Sequence, residues 1–509
     1  MPSANAGGSL IDAAGGIPSH VALALPDTGA VVTYASLRAQ VASVAEALAG
    51  LGIERGDRVA MALPNGLPAA VCFLAAAAAG TAAPLNPAYR EEEFRFYLED
   101  TGARLLLLPP AGADEARRAA DGRVPVINVS TASDGTVRLD GVASRGTIDA
   151  PSADEVALVL HTSGSTGRPK RVPLTHANLR ISAANVARGY GLTAHDVSLC
   201  VMPLFHVHGL VASLLATLVS GGTVVIPGRF SPLSFWRTVR DHRATWYSAV
   251  PTIHQLLLAR AERGSKPAGA EHLRFIRSCS AALPPRVMQD LEAAFGAPVV
   301  EAYGMTEAAH QMSSNPLPPG ERRPGSVGPA TDVSISIMDG QGRHLPAGEA
   351  GEVVIQGPNV MRGYENNPEV NAAAFTDGWF RTGDLGTLDS KGYLTLVGRL
   401  KEMINRGGEK IAPREIDEVL LSHPAVAEAV AFGVPHATWG EEVAAVVVLH
   451  PDAGPSGTVT EAELLAFCSE RLADFKRPRR LHVADAIPRT PTGKIQRRLV
   501  AAAYAHDGS

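Results

Sequence analysis

The chain reads as short apolar runs separated by stretches with helical spacing. Early on, the runs VVT, RVAMAL, TAAPLN and RLLLLP alternate with helices at 34–49, a second ending near Ala79, and EEEFRFYLED. Thr33 stands ahead of the first helix as an N-cap, where its side-chain oxygen can take up an orphan N–H. After a polar break the alternation returns with DVSLCVMPL, a helix from Gly209, TVVIP, a helix near Phe235, ATWYSAV, a helix over 253–263, FIRSCS and PVVEAYG. Strands apolar on both faces and followed by helices predict parallel sheets covered on both sides.

From Val333 the texture changes to short strands with glycine turns, SISIMD, GEVVIQG and GYLTLVGR, which predict a small antiparallel layer. The α/β alternation then restarts with PREIDEVLLSH, AVAEAVAFGV, VAAVVVLH, EAELLAFCSERL and RRLHVAD. The expected fold class is α/β. A large N-terminal domain over 1–399 would hold parallel-rich sheets, covering helices and the small β-layer, and a smaller α/β lobe would occupy 400–509. The polar segment 114–154 suggests no function. Two apolar stretches, 67–85 and 209–227, are interrupted by glycine and read as helix–turn–strand units rather than membrane spans.

Composition narrows the class without naming a chemistry. The 509 residues are 46% hydrophobic and 19% charged, which is a globular balance. A net charge of -5 offers no broad positive field for nucleic acid. Cys72, Cys200, Cys279 and Cys468 are far apart in largely apolar surroundings and read as buried thiols of a reducing compartment. The opening MPSANAGGSLIDAAGG lacks a basic n-region and an apolar h-region, and the closing HDGS lacks a Ser-Lys-Leu address; both point to the cytoplasm, with no membrane insertion.

Candidate chemistry begins at HTSGSTGRPK, residues 161–170, directly after the apolar run VALVL. A strand running into serine, threonine and glycine can wrap backbone N–H groups and hydroxyls around phosphate oxygens. Pro169 stands where the ordinary NTPase loop needs glycine, and no GxGxxG occurs anywhere. By itself the loop fits a surface turn equally well. Its company is YGMTE at 303–307, WFRTGD at 379–384, the GRLKEMINRGGEKI stretch from Gly398, and PTGK at 491–494, each at an expected strand end or turn.

In that order these motifs resemble the AMP-forming adenylating superfamily of acyl-CoA synthetases, luciferases and peptide-synthetase adenylation domains, over nearly the whole chain. The resemblance implies attack of a carboxylate on the α-phosphorus of ATP, giving an acyl-adenylate and pyrophosphate, then displacement of AMP by a thiol. ATP, Mg²⁺ and coenzyme A are the implied cofactors and co-substrates. Thr162, Ser163, Gly164, Ser165, Thr166, Gly167 and Lys170 would clasp the β- and γ-phosphates. Glu307 and Thr166 would hold Mg²⁺, and Thr306 would sit near the α-phosphate. Tyr303 and Ala281 would line adenine, Asp384 would accept from the ribose hydroxyls, and Arg399 would reach the ribose and phosphate side. Lys494 resembles the lysine that bridges carboxylate and α-phosphate, Lys401 the pivot of a rotating small lobe, and Gly407, Gly408, Glu409 and Lys410 the turn that guides pantetheine. The basic run 476–480 is either a contact for the CoA 3′-phosphate or a solvated charge run. No carrier-protein domain is attached, so free CoA is the expected acceptor.

The acid pocket in this family lies among the segments matching PLFHVHG, RSCSAAL and the residues after YGMTE, which here supply His206, His208, Ser280 and His310. Such a lining would strand an apolar tail against unpaired polar groups, whereas imidazoles beside anions can offset a second carboxylate. PLFHVHGL, FIRSCSAAL, TEAAHQMSSNPLP, INRGGEKI and GKIQRR are similar to oxalate–CoA ligases of plants and fungi. That likeness implies oxalate as the acid, with Ser280, His310 and His206 as its contacts. A wall role for His206 and a core role for His208 are equally open. Two positions depart from the pattern: Arg171 replaces a loop glycine, and Gly304 an alanine. The alternatives are a malonate, short-chain or aryl-acid CoA ligase, an adenylation partner of a separate carrier protein, and a non-catalytic adenylate binder. The chain would work as a monomer or a homodimer.

Overall fold

The computed structural model describes residues 8–143, 146–162, 169–261, 264–450, 459–489 and 495–504. Four sheets organise them. The first runs, in spatial order, Val137–Leu139, Val126–Thr131, Ala103–Leu108, Arg58–Met61, Thr81–Pro84, Val156–Thr162 and Lys170–Thr175. Its interior pairs are parallel and both ends are closed by antiparallel pairs. The segment that gave no functional reading, 114–154, thus contributes a helix, Asp114–Ala120, and the outer strands of this sheet.

The second sheet orders His310–Ser314, Val299–Met305, Phe275–Ser278, Trp246–Ala249, Val197–Leu199, Thr223–Val225, Val21–Leu25 and Ala30–Thr33, again parallel inside and antiparallel at each edge. Helix His176–Gly189 touches strands of both sheets. It starts at Thr175, whose hydroxyl accepts from the Asn178 N–H at 3.1 Å. The expected cap at Thr33 is present in the same form, with Ser36 N–H as donor, and opens helix Tyr34–Gly50.

Both candidate membrane stretches resolve into helix, turn and strand. Helix Leu67–Ala79 is buried at every residue except Pro68 and hands over to strand Thr81–Pro84. The second is wound as a π-helix over His208–Leu215 before a regular turn, Ala216–Ser220, and strand Thr223–Val225. Gly209 permits that winding: a Cβ there would lie 2.2 Å from the Pro203 carbonyl oxygen. A widened turn of this kind re-aims the side chain that begins it, here His208. No helix among the described residues is long and apolar enough to cross a membrane.

The third sheet is the antiparallel layer, Ser334–Met338, Ala350–Gln356, Trp379–Leu388, Phe375–Thr376 and Leu394–Arg399. The fourth joins Glu409–Ile411, Ile404–Arg406, Gly440–Leu449 and Val426–His436, with Arg480–Val483 parallel to Gly440–Leu449. This last sheet and helices Pro413–Leu421 and Glu461–Ser469 close over their own core of Ile404, Ile416, Leu420, Val443, Leu464 and Leu481. Between these two sheets lies the short turn Leu400–Glu402. All four cysteines are buried and unpaired; burial alone pushes the Cys72 thiol up to about 12, so it stays protonated and inert.

Candidate active site

Several of the sequence-selected residues lie at or just after strand ends of the two large sheets, and Asp384 and Arg399 come from the third. Strand Val156–Thr162 delivers Thr162, whose hydroxyl is 3.5 Å from Glu307 Oε1. Lys170 is paired with Thr162 in register, and its ammonium lies 4.7 Å from the centre of the Tyr364 ring. Burial and then the Lys401 charge hold Lys170 below the usual lysine range, with Glu307 opposing. Ser163, Gly164, Ser165, Thr166 and Gly167 lie outside the described residues, as does Lys494.

Strand Val299–Met305 carries Tyr303 and leads into the one-turn helix Thr306–Ala308. There Glu307 is 6% exposed and accepts a hydrogen bond from the Tyr364 hydroxyl at 2.8 Å, while Thr306 is half-buried beside it. Among the described residues no set of three or more acidic, histidine or cysteine side chains could cage a metal. One buried carboxylate with a hydroxyl partner fits a Mg²⁺ that draws most of its ligands from phosphate and water.

Tyr303 donates to Asp384 Oδ2, and Arg399 Nε stands 2.9 Å from Asp384 Oδ1. Asp384 and Arg399 are register partners across antiparallel strands, so backbone pairing places them together. Burial, and then the Asp384 charge, pushes the Tyr303 hydroxyl well up and keeps it a donor, and the Asp384 charge raises Arg399. Ala281 is exposed in the loop after Phe275–Ser278.

The residues expected to contact the acid come from three segments. Ser280 follows strand Phe275–Ser278 in the left-handed region, φ 73°, and His310 opens strand His310–Ser314 at φ 117°. Such backbone is unfavourable for these residue types and concentrates where geometry serves function. His208 Nδ1 is 3.0 Å from Ser280 Oγ, and the His208 and His310 rings are 5.2 Å apart. His206 lies on the preceding turn, its ring 4.7 Å from that of Phe205. Gly304 sits against the His310 backbone, where a Cβ would lie 2.0 Å from the carbonyl oxygen. The departure from alanine therefore lets the His310 strand approach closely. Arg171, the other departure, is held by Asp100 and, at 3.9 Å, Glu365.

Gly407 and Gly408 form the hairpin turn before Glu409–Ile411 in the fourth sheet, and the Glu409 and Lys410 side chains are exposed. Lys401 lies in the turn Leu400–Glu402.

Three residues of this site were not singled out from sequence. Tyr364 contacts both Lys170 and Glu307, but its setting, MRGYEN, carries no pattern that says so. Ser248 and Arg277 lie behind the imidazoles: Ser248 Oγ is 2.6 Å from His208 Nε2, and Arg277 Nη1 donates to Ser248 Oγ at 2.9 Å. The signal for Arg277 was present, a cation inside the apolar strand FIRS.

Comparison with known proteins follows the same lines. Residues 11–365 match the AMP-binding enzyme family and 415–494 the AMP-binding enzyme C-terminal domain. The oxalate–CoA ligase of Arabidopsis thaliana is 48% identical, covering 96% of this chain and 98% of its own. That of Saccharomyces cerevisiae is 41% identical, covering 96% and 95%. Among solved structures, ATP-bound MatB from Rhodopseudomonas palustris superposes with a TM-score of 0.90 at 33% identity, covering 98% of this chain and 99% of that one.

Proposed function

The chain belongs to the AMP-binding enzyme family as an AMP-forming acyl-CoA synthetase, an acid–thiol ligase using ATP, Mg²⁺ and CoA, and on that premise we propose that its acid is oxalate. The observation that carries this reading is the contact of Ser280 and His310 with His208, a cluster of hydrogen-bonding groups where an aryl or fatty chain would need apolar walls. His206 is the third contact proposed for the acid. A small acid with a second carboxylate leaves none of these groups unpaired. The oxalate–CoA ligases at 48% and 41% identity support the same substrate, and malonate is the nearest alternative within the small diacids.

In the first half-reaction a carboxylate oxygen attacks the α-phosphorus and pyrophosphate leaves, so the protein must hold anions together and meet the charge that builds on phosphate. Residues 163–167 with Thr162 and Lys170 take the β- and γ-phosphates, and Thr306 the α-phosphate. Tyr303 and Ala281 line the base, while Asp384 and Arg399 hold the ribose. Glu307 and Thr166 would bind Mg²⁺, which when present neutralises phosphate charge. Lys494 bridges carboxylate and α-phosphate.

For the second half-reaction the lobe from residue 400 on pivots at Lys401 and brings 407–410 to the site to guide the pantetheine thiol. All of these residues come from one chain, so the set is complete in a monomer or a homodimer. Four unpaired cysteines suit a reducing cytoplasm.

ATP–pyrophosphate exchange over oxalate, malonate, acetate, octanoate and 4-coumarate, followed by CoA-thioester detection, tests the assignment. Oxalate should be preferred; preference for octanoate or coumarate would remove it.

A further inference from the structure

Arg277 is fully buried on strand Phe275–Ser278, yet no carboxylate is among the groups it donates to, which include the Cys279 thiol. Its Nε gives to the Tyr190 hydroxyl at 2.9 Å, Nη1 to Ser248 Oγ at 2.9 Å, and Nη2 to Gln311 Oε1 at 3.0 Å and, at 3.5 Å, to His310 Nδ1. No carboxylate among the described residues forms an ion pair with it. Buried charges ordinarily have a counter-charge. Here the direction in which Arg277 is relayed shows where one would arrive.

A guanidinium can only donate, so each partner atom accepts. Ser248 is fully buried, with Arg277 and His208 as its hydrogen-bond partners, so its own proton is satisfied only by donation to His208 Nε2. His208 then carries its proton on Nδ1 and donates to Ser280 Oγ, 3.0 Å away. The Ser280 hydroxyl proton has no acceptor among the described residues and is left for a ligand. On the second arm His310 Nδ1 accepts from Arg277, so its neutral ring carries the proton on Nε2. Two donors, Ser280 O–H and His310 Nε2–H, are thereby set by relays that start at one buried cation.

We propose that Arg277 is a positioning and specificity-determining residue: it fixes His208 and His310 as neutral, outward-donating tautomers and supplies the positive potential that selects acids bearing a second negative charge. The charge complementing the substrate thus resides on Arg277 rather than on an imidazolium. This deepens the oxalate reading and rests on it for the identity of the acid, while the tautomers it sets belong to the acid-free enzyme.

The test compares wild type with Arg277→Met and Arg277→Lys by steady-state kinetics, thermal unfolding and ¹⁵N spectra of histidine-labelled, acid-free protein. For Arg277→Met the KM for oxalate should rise about 30-fold or more, as for loss of a charge-assisted contact, while the KM values for ATP and acetate change little. Arg277→Lys should recover part of the oxalate affinity. In wild type His310 should show the Nε2–H form and His208 the Nδ1–H form; in Arg277→Met both should become mixtures. Thermal stability of Arg277→Met without acid should hold or rise, because a cation without a counter-charge has been removed. An unchanged oxalate KM, an equal loss for acetate, or unaltered tautomers would overturn the proposal. If wild type shows no exchange with oxalate, the substrate reading fails, and the tautomer spectra still decide the role of Arg277. Should Arg277→Met not fold, Ser248→Ala cuts the His208 arm alone: a changed His208 tautomer with His310 unaltered supports the relay, and an unchanged His208 overturns it.

Discussion

Asp384 and Arg399 face each other across two antiparallel strands, with the guanidinium Nε 2.9 Å from one carboxylate oxygen while Tyr303 donates to the other. Asp384 is therefore pre-ordered from both sides before any ribose arrives, and its remaining acceptor capacity faces a fixed direction. Asp384→Asn keeps the shape and removes the charge that holds Arg399. The KM for ATP should rise by about 10- to 100-fold, the range for loss of one or two charge-assisted hydrogen bonds. Pyrophosphate exchange at varied ATP, with oxalate saturating, measures it.

Tyr364 ties Glu307 to Lys170 by donating to the carboxylate and lying under the ammonium. Tyr364→Phe keeps the ring and loses the donor, so Glu307, which would hold Mg²⁺, loses the hydrogen bond that orients it. Exchange should fall about tenfold at low magnesium and recover in part as magnesium is raised, as for outer-shell partners of metal ligands. A loss that magnesium does not alter would place Tyr364 outside this role.

Replacing His310 with valine removes one of the two donors at the acid and leaves the nucleotide side untouched. Oxalate turnover should drop by roughly 100-fold or more, with ATP affinity, read by fluorescence titration, close to that of wild type. Equal activity on oxalate would take His310 out of the site.

Glu301 is 1% exposed, accepts from the Leu283 N–H at 3.0 Å, and has no partner for its second oxygen among the described residues. Burial pushes its carboxyl from 4.5 up to about 7, against the opposing Leu283 N–H and the Arg414 charge. Because the folded value lies above the unfolded one, its contribution to stability is complete below about 4.5 and is lost as pH rises through about 7. At one unit per 1.36 kcal/mol, that shift corresponds to roughly 3 kcal/mol. His176 and His254, held down at about 4 by burial, act in the opposite sense, losing stability as pH falls below 6.5. The quantity to measure is thus the difference between wild type and Glu301→Gln in denaturant unfolding across pH 4–8. The variant should gain on wild type steadily between pH 4.5 and 7; a constant difference would show that Glu301 ionises normally.

Several elements were legible without coordinates because they depend on short-range chemistry. The cap at Thr33 needs only a hydroxyl three residues before an N–H, and it formed as expected. The interior strands TAAP, WYSA and FIRS were readable because a strand covered on both faces is largely apolar, even though WYSA carries Ser248 and FIRS carries Arg277. The helix expected at 253–263 instead spans Pro251–Leu258, since proline suits the first turn. The helix expected from Gly209 begins as a π-turn, because the close approach of Gly209 to Pro203 is a tertiary contact that periodicity does not encode.

The α/β alternation along the chain was readable from residue pattern, and the family and reaction from the resemblance that the phosphate loop, YGMTE and the aspartate of RTGD carry together, none of them decisive alone. The hydrogen-bonded cluster behind the candidate acid site, by contrast, exists only through long-range contacts. Ser248 meets Arg277 because their strands are in register, and His208 reaches Ser248 from a turn 40 residues away. A hydrogen-bond relay takes its direction from which buried protons have acceptors, and that becomes defined only when separate segments close around the same cation.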